Sequence, residues 1–223
     1  MRTAQLYDLS HTMAKELLLR YEYPWLCLSE LRNFSSELVN KLAASDNYYL
    51  LCDGVVAAKS AVISKSATIY GPAVIGEGCE IRCGAFIRGS AIIGEGCVVG
   101  NSCEIKNSLL FDRVQVPHFN YVGDSVLGYR SHLGAGAITS NVKSDKTLVT
   151  LKNDGVTIET GLKKFGAMIG DLVEIGCNSV LNPGTVIGKN TTVYPLSSVR
   201  GVIPPDSIYK SRENIVSKNK RTE

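Results

Sequence analysis

The sequence predicts an all-β solenoid of short parallel strands, because aliphatic residues recur every six positions along most of the chain. The first series is unbroken and comprises Ile63, Ile69, Ile75, Ile81, Ile87, Ile93, Val99 and Ile105. A small residue, Ala or Cys, stands two positions before each of these eight aliphatics. An α-helix with 3.6 residues per turn cannot keep a period of six on one face. We therefore expect three hexads to close one coil and successive coils to stack at about 4.8 Å.

The period resumes after one-residue slips and after one long interruption. Its later members are Leu110, Val116, Val122, Leu127, Leu133, Ile169, Ile175, Leu181, Ile187, Val193 and Val199. Ordered hexads cover residues 57–140 and 166–203, or about seven coils at about 18 residues each. The pattern resembles the left-handed parallel β-helix of the hexapeptide-repeat family, and we assign residues 55–203 to it. Cys79, Cys97 and Cys103 occupy the small-residue position and need no chemical role.

Three segments depart from the repeat. Residues 1–54 carry apolar residues at helical spacing, including Leu17, Leu18 and Leu38, and predict a small helical cap over the edges of the first coil. Residues 141–165 contain two strand-like runs around Asn153-Asp154-Gly155 and predict a projecting β-hairpin arm. Residues 204–223 form a basic tail that leaves the repeat after Pro204-Pro205.

Composition excludes several classes of protein. The 223 residues are 44% hydrophobic and 20% charged with a net charge of +3, which excludes a disordered chain and gives no concentrated basic face for nucleic acid. The apolar runs are too short for a membrane span, and the first residues lack a secretion signal. We therefore expect a cytoplasmic protein whose seven cysteines are free thiols and that binds neither nucleic acid nor membrane.

Candidate chemistry is concentrated between residues 117 and 124. His118, Asn120 and Tyr121 place an imidazole, an amide and a phenol within four residues at a coil edge. An imidazole is the side chain best suited to act as a base near neutral pH, so His118 is the candidate catalytic residue. A structural role for this histidine remains the alternative.

Arg88 and Lys106 each follow an inward aliphatic residue and lie 18 positions apart, so we expect them to stack one coil apart on the same corner. Two stacked cations repel unless an anion lies between them, which indicates a phosphate or carboxylate site. A salt bridge to Glu104 or Glu80 is the alternative. The arm adds Lys143, Lys146, Lys152, Lys163 and Lys164, which form either an anion-binding rim or an ordinary solvated surface.

Two motifs carry a resemblance to a known family. The segment GNSCEIKNSLLFDRVQVPHFNYVGDSVLGYRSHLGAGAITSN contains a His-x-x-Tyr-x-Gly-Asp run followed by Gly-Ala-Gly-x-x-Thr-x-Asn. It resembles the acetyltransferase half of the bifunctional N-acetylglucosamine-1-phosphate uridyltransferase and of related archaeal sugar-1-phosphate enzymes. The later stretch TGLKKFGAMIGDLVEIGCNSVLNPGTVIG is similar to the archaeal members. The resemblance extends from about residue 58 to the end.

The resemblance implies a homotrimer with sites between subunits, in which acetyl-CoA donates to the amine of an amino-sugar 1-phosphate and no metal is needed. By motif, His118 would be the general base, and Asn141 would orient the amine or stabilise the oxyanion. The implied substrate contacts are Arg88 and Lys106 to the phosphate, Tyr121 to the sugar, Lys146 from the arm, and His132. The implied coenzyme A contacts are Cys177, Pro195 and Arg212.

The chain departs from the family in three respects. It shows no Gly-rich nucleotide loop near its start, so we do not expect it to make UDP-sugars by itself. His132 stands where the bacterial enzymes carry Asn, and Val142 stands where they carry Tyr. These changes leave the identity of the acceptor open.

Two other functions are compatible with this fold. A zinc hydratase like the γ-class carbonic anhydrases would use His118 and His132 as two ligands, but a third histidine is missing from the repeat. A non-catalytic subunit that binds sugar phosphates is the second alternative, and the altered residues His132 and Val142 favour it. Release of coenzyme A with an amino-sugar acceptor distinguishes the acetyltransferase from both.

Overall fold

The computed structural model describes residues 1–153 and 155–218, and it confirms the predicted β-solenoid. Parallel strands stack along three faces, and each coil of the solenoid passes through the faces in turn. Asp154, in the predicted hairpin turn, and Lys220 and Arg221, in the predicted tail, lie outside the described residues.

The strands divide into three faces. Face one contains β2 (Val55–Ala58), β5 (Ala73–Ile75), the later parts of β7 (Phe86–Ile93) and β9 (Glu104–Leu110), β12 (Val126–Leu127), β17 (Ala167–Ile169), β20 (Thr185–Ile187) and β23 (Val202–Ile203). Face two contains β3 (Val62–Ile63), β6 (Glu80–Ile81), β8 (Val98–Asn101), β10 (Gln115–His118), β13 (His132–Leu133), β18 (Glu174–Ile175), β21 (Thr192–Val193) and β24 (Ser207–Ser211). Face three contains β4 (Thr68–Ile69), the first parts of β7 and β9, β11 (Tyr121–Gly123), β14 (Ile138–Thr139), β19 (Val180–Leu181) and β22 (Ser198–Val199).

The predicted aliphatic positions form the interior of the solenoid. Ile75, Ile93, Leu110, Leu127 and Ile169 stack in register along face one and are fully buried. Side chains alternate along a strand, so the residue before each of these points outward. On face one that outward row is also apolar and fully buried, and its members are Val56, Val74, Ile92, Leu109, Val126 and Met168.

The N-terminal segment covers this outward row, instead of the end of the first coil as the sequence predicts. It contains α1 (Thr3–Leu6), a 3-10 turn at Leu9–His11, α2 (Lys15–Leu18), a 3-10 helix at Pro24–Ser29 and α3 (Leu31–Ala43). Helix α3 packs across β2, β5, β7 and β9. Trp25 stacks on Phe165 with ring centroids 5.7 Å apart, and the Tyr7 ring lies 5.0 Å from that of Phe111. The segment therefore lies along the flank of the solenoid, where it buries the outward row of apolar side chains.

The first coil is closed on one face by β1 (Tyr48–Cys52), which pairs antiparallel with β2. At the other end, the solenoid continues beyond residue 203, where the sequence places the start of the tail. Strand β24 pairs parallel with β21, and β25 (Asn214–Ser217) then folds back antiparallel on β24. This extra coil gives about eight turns instead of about seven. The extra coil forms because Tyr209, which is 2% exposed and in register with the inward Val193, takes the inward position after the two prolines.

The interruption at 141–165 contains the hairpin strands β15 (Thr150–Asn153) and β16 (Val156–Glu159), paired antiparallel. The hairpin lies against the last coils of its own chain and does not project freely. Val149 and Leu151 are buried, and β15 contacts β23. A side chain at Gly184 would lie 2.7 Å from Val149, so the hairpin fits closely only where this glycine leaves room.

The longest helix of the described residues is α3, with 13 residues. None of the helices in this part of the chain is long and apolar enough to cross a bilayer.

Candidate active site

The His118 side chain lies exposed at the corner where face two turns into face three. The residues of this corner are stacked by backbone hydrogen bonds between coils: Gly136 N donates to His118 O (3.0 Å), Asn178 N to Ala135 O (2.8 Å), and Leu196 N to Cys177 O (2.9 Å). His118, Ala135, Cys177 and Pro195 therefore form one column, with His118 two coils, or about 10 Å, from Cys177. The small Ala135 side chain leaves space between the imidazole and the thiol.

Asn120 has a structural role at this corner. Its side chain is buried and donates to Gly134 O (2.8 Å) and Ala137 O (3.1 Å), while its Oδ1 accepts from His118 N (3.1 Å). Phe119, between the two, has a φ of 53°, and the Asn120 bonds hold that turn. The amide positions the His118 backbone and is not available to a ligand.

Arg88 and Lys106 lie side by side at the next corner, between faces three and one, as the sequence predicts. Each cation has a carboxylate partner: Arg88 Nε lies 2.7 Å from Glu104 Oε1, and Lys106 Nζ lies 3.0 Å from Asp124 Oδ2. Glu80 pairs with Arg82 instead. Stacking of the two cations therefore does not by itself require an external anion, and phosphate binding here stays a prediction.

Asp124 is the residue of this network that sequence reasoning did not single out. Its side chain is 5% exposed and accepts hydrogen bonds from Lys106, from Asn107 Nδ2 (2.8 Å) and from Asn141 Nδ2. In the sequence, Asp124 is indicated only as the last residue of the His-x-x-Tyr-x-Gly-Asp motif. The carboxylate fixes the Lys106 ammonium and the Asn141 amide in one network.

Asn141 is held with its amide nitrogen toward the protein. Nδ2 donates to Asp124 and, at 3.2 Å, to the hydroxyl of Tyr121. Its Oδ1 forms no hydrogen bond to another described residue and is left to accept from a ligand. Of the two roles considered, this arrangement suits orienting an amine better than donating to an oxyanion.

Tyr121 lies on face three between His118 and Lys106. Its ring folds over Gly123, where an added Cβ would lie 2.5 Å from the tyrosine hydroxyl. Burial, then the negative charges of Asp124 and Glu104, raise the pKa of the phenol, so it stays protonated at neutral pH. Because the hydroxyl oxygen accepts from Asn141, its proton is free to be donated to a bound hydroxyl.

The other predicted residues lie apart from this network. His132 is on the outward side of face two, with Nδ1 2.8 Å from Glu174 Oε2. Lys146 is exposed at the base of the arm, in a turn closed by its N–H to Lys143 O (2.9 Å). Arg212 follows β24, away from the column that holds Cys177 and Pro195. It lines a pocket of about 570 Å³ together with Lys143, Lys152 and Arg200.

Among residues 1–153 and 155–218, no three or more His, Cys, Asp or Glu side chains are grouped as metal ligands would be. Face three and its two corners therefore present an imidazole at one corner, a phenol and an amide along the face, and two paired cations at the other corner. These groups are able to bind polar substrates and to move a proton.

One protein family and several known proteins are similar in sequence to this chain. The family model of the GMPPB C-terminal domain matches residues 69–163. The bifunctional protein GlmU of Methanococcus maripaludis is 31% identical over 200 residues, which are 89% of this chain and 48% of that protein. The bifunctional sugar-1-phosphate nucleotidylyltransferase/acetyltransferase of Sulfurisphaera tokodaii is 37% identical over 92 residues, 41% of this chain and 23% of that protein. This chain is a relative of the GlmU-type proteins.

The chain spans about half the length, or less, of the GlmU-type relatives it matches. Among solved structures, the polySia specific acetyltransferase NeuO shares the fold, with a TM-score of 0.50, 12% identity, and coverage of 76% of this chain and 81% of that one. The stretch matched by the family model contains Arg88, Lys106, His118, Tyr121 and Asn141. Cys177, Pro195 and Arg212 lie beyond it.

Proposed function

We propose that this chain is an acetyl-CoA-dependent N-acetyltransferase that acts on the amine of an amino-sugar 1-phosphate, with His118 as the general base. The observation that carries the proposal is the position of His118 at the junction of two rows of residues. One row runs along face three through Tyr121 to Asn141, Lys106 and Arg88. The other runs along the corner column to Cys177 and Pro195.

The first row suits the acceptor. Arg88 uses Nε for Glu104, so the rest of its guanidinium is available to a phosphate, with Lys106 beside it. Tyr121 would contact the sugar between the phosphate and the amine, and Asn141 Oδ1 would accept from the amine. A relative named for a sugar-1-phosphate supports this class of acceptor.

The second row suits the donor. The column is exposed at Cys177 and Pro195, and Ala135 leaves space for a thioester to approach the imidazole. Acetyl-CoA would supply the acetyl group there. Arg212 lies off this column, so we expect it to contact coenzyme A only across a subunit interface.

The proton transfer assigned to His118 is as follows. The neutral imidazole accepts a proton from the amine as the nitrogen bonds to the thioester carbonyl carbon. The carbon–sulfur bond breaks, and the proton held by His118 passes to the departing sulfur. Asn141 keeps the nitrogen lone pair directed at the carbon, and Asp124 keeps Asn141 in place.

We propose that the working unit is a homotrimer with sites between subunits. Two large apolar side chains at the His118 corner support this assembly: Phe119 is 62% exposed and Leu196 is 80% exposed. Apolar surface of this kind next to a polar site is typical of a subunit interface.

The test is release of thiol from acetyl-CoA with a panel of amino-sugar 1-phosphates and free amino sugars. We expect release with one acceptor and a loss of about 10²-fold to 10⁴-fold in kcat for His118→Asn. His11→Gln is the matched control, because it removes an imidazole that stacks on Tyr129, away from the corner. Absence of release with every acceptor would contradict the proposal and favour the non-catalytic, sugar-phosphate-binding alternative.

A further inference from the structure

A second cluster of cationic and polar side chains lies on the opposite edge of face two from His118. Arg113 and Arg130 occupy equivalent positions at the corner between faces one and two, one coil apart. Two residues further on, Gln115 and His132 are in register on the face itself. Together with Glu174 they line a cleft of about 570 Å³, called here the face-two cleft.

The arginines of the face-two cleft differ from Arg88 and Lys106 in having no carboxylate partner. Within the described part of the chain neither Arg113 nor Arg130 forms an ion pair. Arg130 lies over the Tyr129 ring at 5.6 Å. Glu95 and Asp112 border Arg113 from a neighbouring cleft without reaching ion-pair distance. Arg113 and Arg130 stand one coil apart, where backbones are spaced by about 4.8 Å, and two cations this near to each other repel. Glu95 and Asp112 offset part of the Arg113 charge from a distance, but no carboxylate of the described residues pairs directly with either arginine.

His132 is oriented toward the same cleft. Glu174 Oε2 lies 2.8 Å from Nδ1, and this bond fixes the ring and leaves Nε2 for a ligand. Gln115 presents a side-chain amide one coil away. The cleft therefore offers the two guanidinium groups, one amide and one imidazole edge.

We propose that the face-two cleft binds a phosphate monoester dianion, with Arg113 and Arg130 as its principal ligands. A carboxylate is satisfied by one bidentate arginine, whereas the three outer oxygens of a phosphate monoester accept from two stacked guanidinium groups and a further donor. The volume exceeds that of a free ion, so the group esterified to the phosphate lies along Gln115 and His132. This site is separate from the His118, Tyr121 and Asn141 network proposed above for acetyl transfer, and His132, which the family resemblance implies as a substrate contact, lies in the face-two cleft.

The proposal is tested by calorimetric titration of the full chain with methyl phosphate and with inorganic phosphate. We expect saturable binding of methyl phosphate with a component that Arg113→Gln and Arg130→Gln each weaken by about tenfold or more and that Arg88→Gln leaves unchanged. Arg82→Gln is the matched control, because it also removes one surface charge but lies outside the cleft, paired with Glu80. Its affinity should equal that of the wild type. Tighter binding of inorganic phosphate than of methyl phosphate would identify a free ion as the ligand and contradict the monoester.

Three further results would overturn the proposal: no binding, equal weakening in Arg113→Gln, Arg130→Gln and Arg82→Gln, or loss of binding only in Arg88→Gln. The last would place the anion at the face-three corner. Acetyl transfer by the Arg113→Gln/Arg130→Gln variant, measured in parallel, should match the wild type. Absence of phosphate binding together with normal acetyl transfer would contradict the face-two proposal and leave the proposed acetyltransferase function standing. Loss of acetyl transfer in His118→Asn tests that function and does not depend on the face-two cleft.

Discussion

Gly123 provides space for the Tyr121 ring at the centre of the proposed site. An added Cβ would lie 2.5 Å from the Tyr121 hydroxyl and 2.7 Å from the ring carbon that bears it. We expect Gly123→Ala to displace the ring, break its hydrogen bond with Asn141 and lower kcat/KM for acetyl transfer by about tenfold. Steady-state kinetics with the acceptor that releases thiol measures this effect.

The control for Gly123→Ala is the same change in a Tyr121→Ala background. Without the ring the added methyl has no clash there, so the double variant should be no less active than Tyr121→Ala alone. An extra loss in the double variant would show that Gly123 acts through the backbone instead of through the tyrosine.

The Asp112 carboxyl makes the free energy of unfolding depend on pH, and the direction of its pKa shift fixes the direction of that dependence. Burial is the largest cause that raises the pKa of its carboxyl above 3.8, although its Oδ1 accepts from Glu95 N at 2.8 Å. A carboxyl whose pKa is higher in the folded than in the unfolded state destabilises the folded state when it is ionised. This destabilisation is present at neutral pH and disappears as the pH falls through the folded-state pKa to the pKa of the unfolded state. We therefore expect Asp112→Asn, which keeps the acceptor oxygen, to raise the free energy of unfolding at neutral pH and to have no such effect below about pH 3.8.

Urea denaturation at the two pH values measures the Asp112 effect. Asp145→Asn is the opposite case, because hydrogen bonds from Thr147 lower the pKa of Asp145. That change should slightly reduce stability at neutral pH. A gain in both variants would indicate a general effect of removing negative charge.

At the scale of elements, the N-terminal segment is an integral part of the core. Trp25 is 2% exposed and stacks on Tyr23 at 4.7 Å as well as on Phe165. We expect Trp25→Ala to lower the free energy of unfolding by about 3–5 kcal/mol, as for other large buried aromatic residues. Leu19→Ala, at a 65% exposed position of the same segment, should change it by less than about 0.5 kcal/mol. Denaturation followed by far-UV circular dichroism provides both values, and equal small losses would mean that the segment is only loosely docked.

The sequence contained a signal for the position of this segment. In each coil of face one the inward aliphatic residue is preceded by another apolar residue, as in Val74-Ile75, Ile92-Ile93 and Leu109-Leu110. Such pairs predict a strand that is buried on both sides. Helical spacing in residues 1–54 showed that the segment is amphipathic, but only the outward apolar row shows which surface it covers.

At the scale of the whole molecule, the apolar corner beside His118 leads to a prediction about assembly. We expect the wild-type chain to sediment as a trimer and Leu196→Glu to sediment as a smaller species with little acetyl transfer, because a charge at a buried interface is costly. Leu19→Glu, at a similarly exposed leucine away from the corner, should remain trimeric. Analytical ultracentrifugation with a parallel activity assay checks both, and a trimeric Leu196→Glu variant would show that this corner faces solvent.

The hexad period predicts the solenoid, the register of its strands and the adjacency of Arg88 and Lys106, since each depends only on counting residues. The motif likewise predicts the proximity of Tyr121 and Asn141. The sequence offered Glu104 and Glu80 as alternative carboxylate partners, and Arg88 pairs with Glu104. Counting did not indicate Asp124 as the partner of Lys106, because pairing depends on which way long side chains turn at a corner. Nor does it predict that Cys177 shares a column with His118, because the arm at 141–165 breaks the count between them.

The hydrogen bonds of the N-terminal segment also have a consequence for the order in which the protein is made. Asp8 N donates to Asp171 Oδ2 and Asp171 N donates to Leu6 O, a closure across more than 160 residues. Translation makes residues 6–8 first and their partner near the end, after the coils before the arm are complete. Helix α3 is able to cover Val74, Ile92 and Leu109 as soon as β9 is made, but residues 6–8 reach their final place beside Val126 only once Asp171 is made. Until then the ribosome-bound chain offers a chaperone the part of the apolar row that the finished molecule hides under residues 6–8.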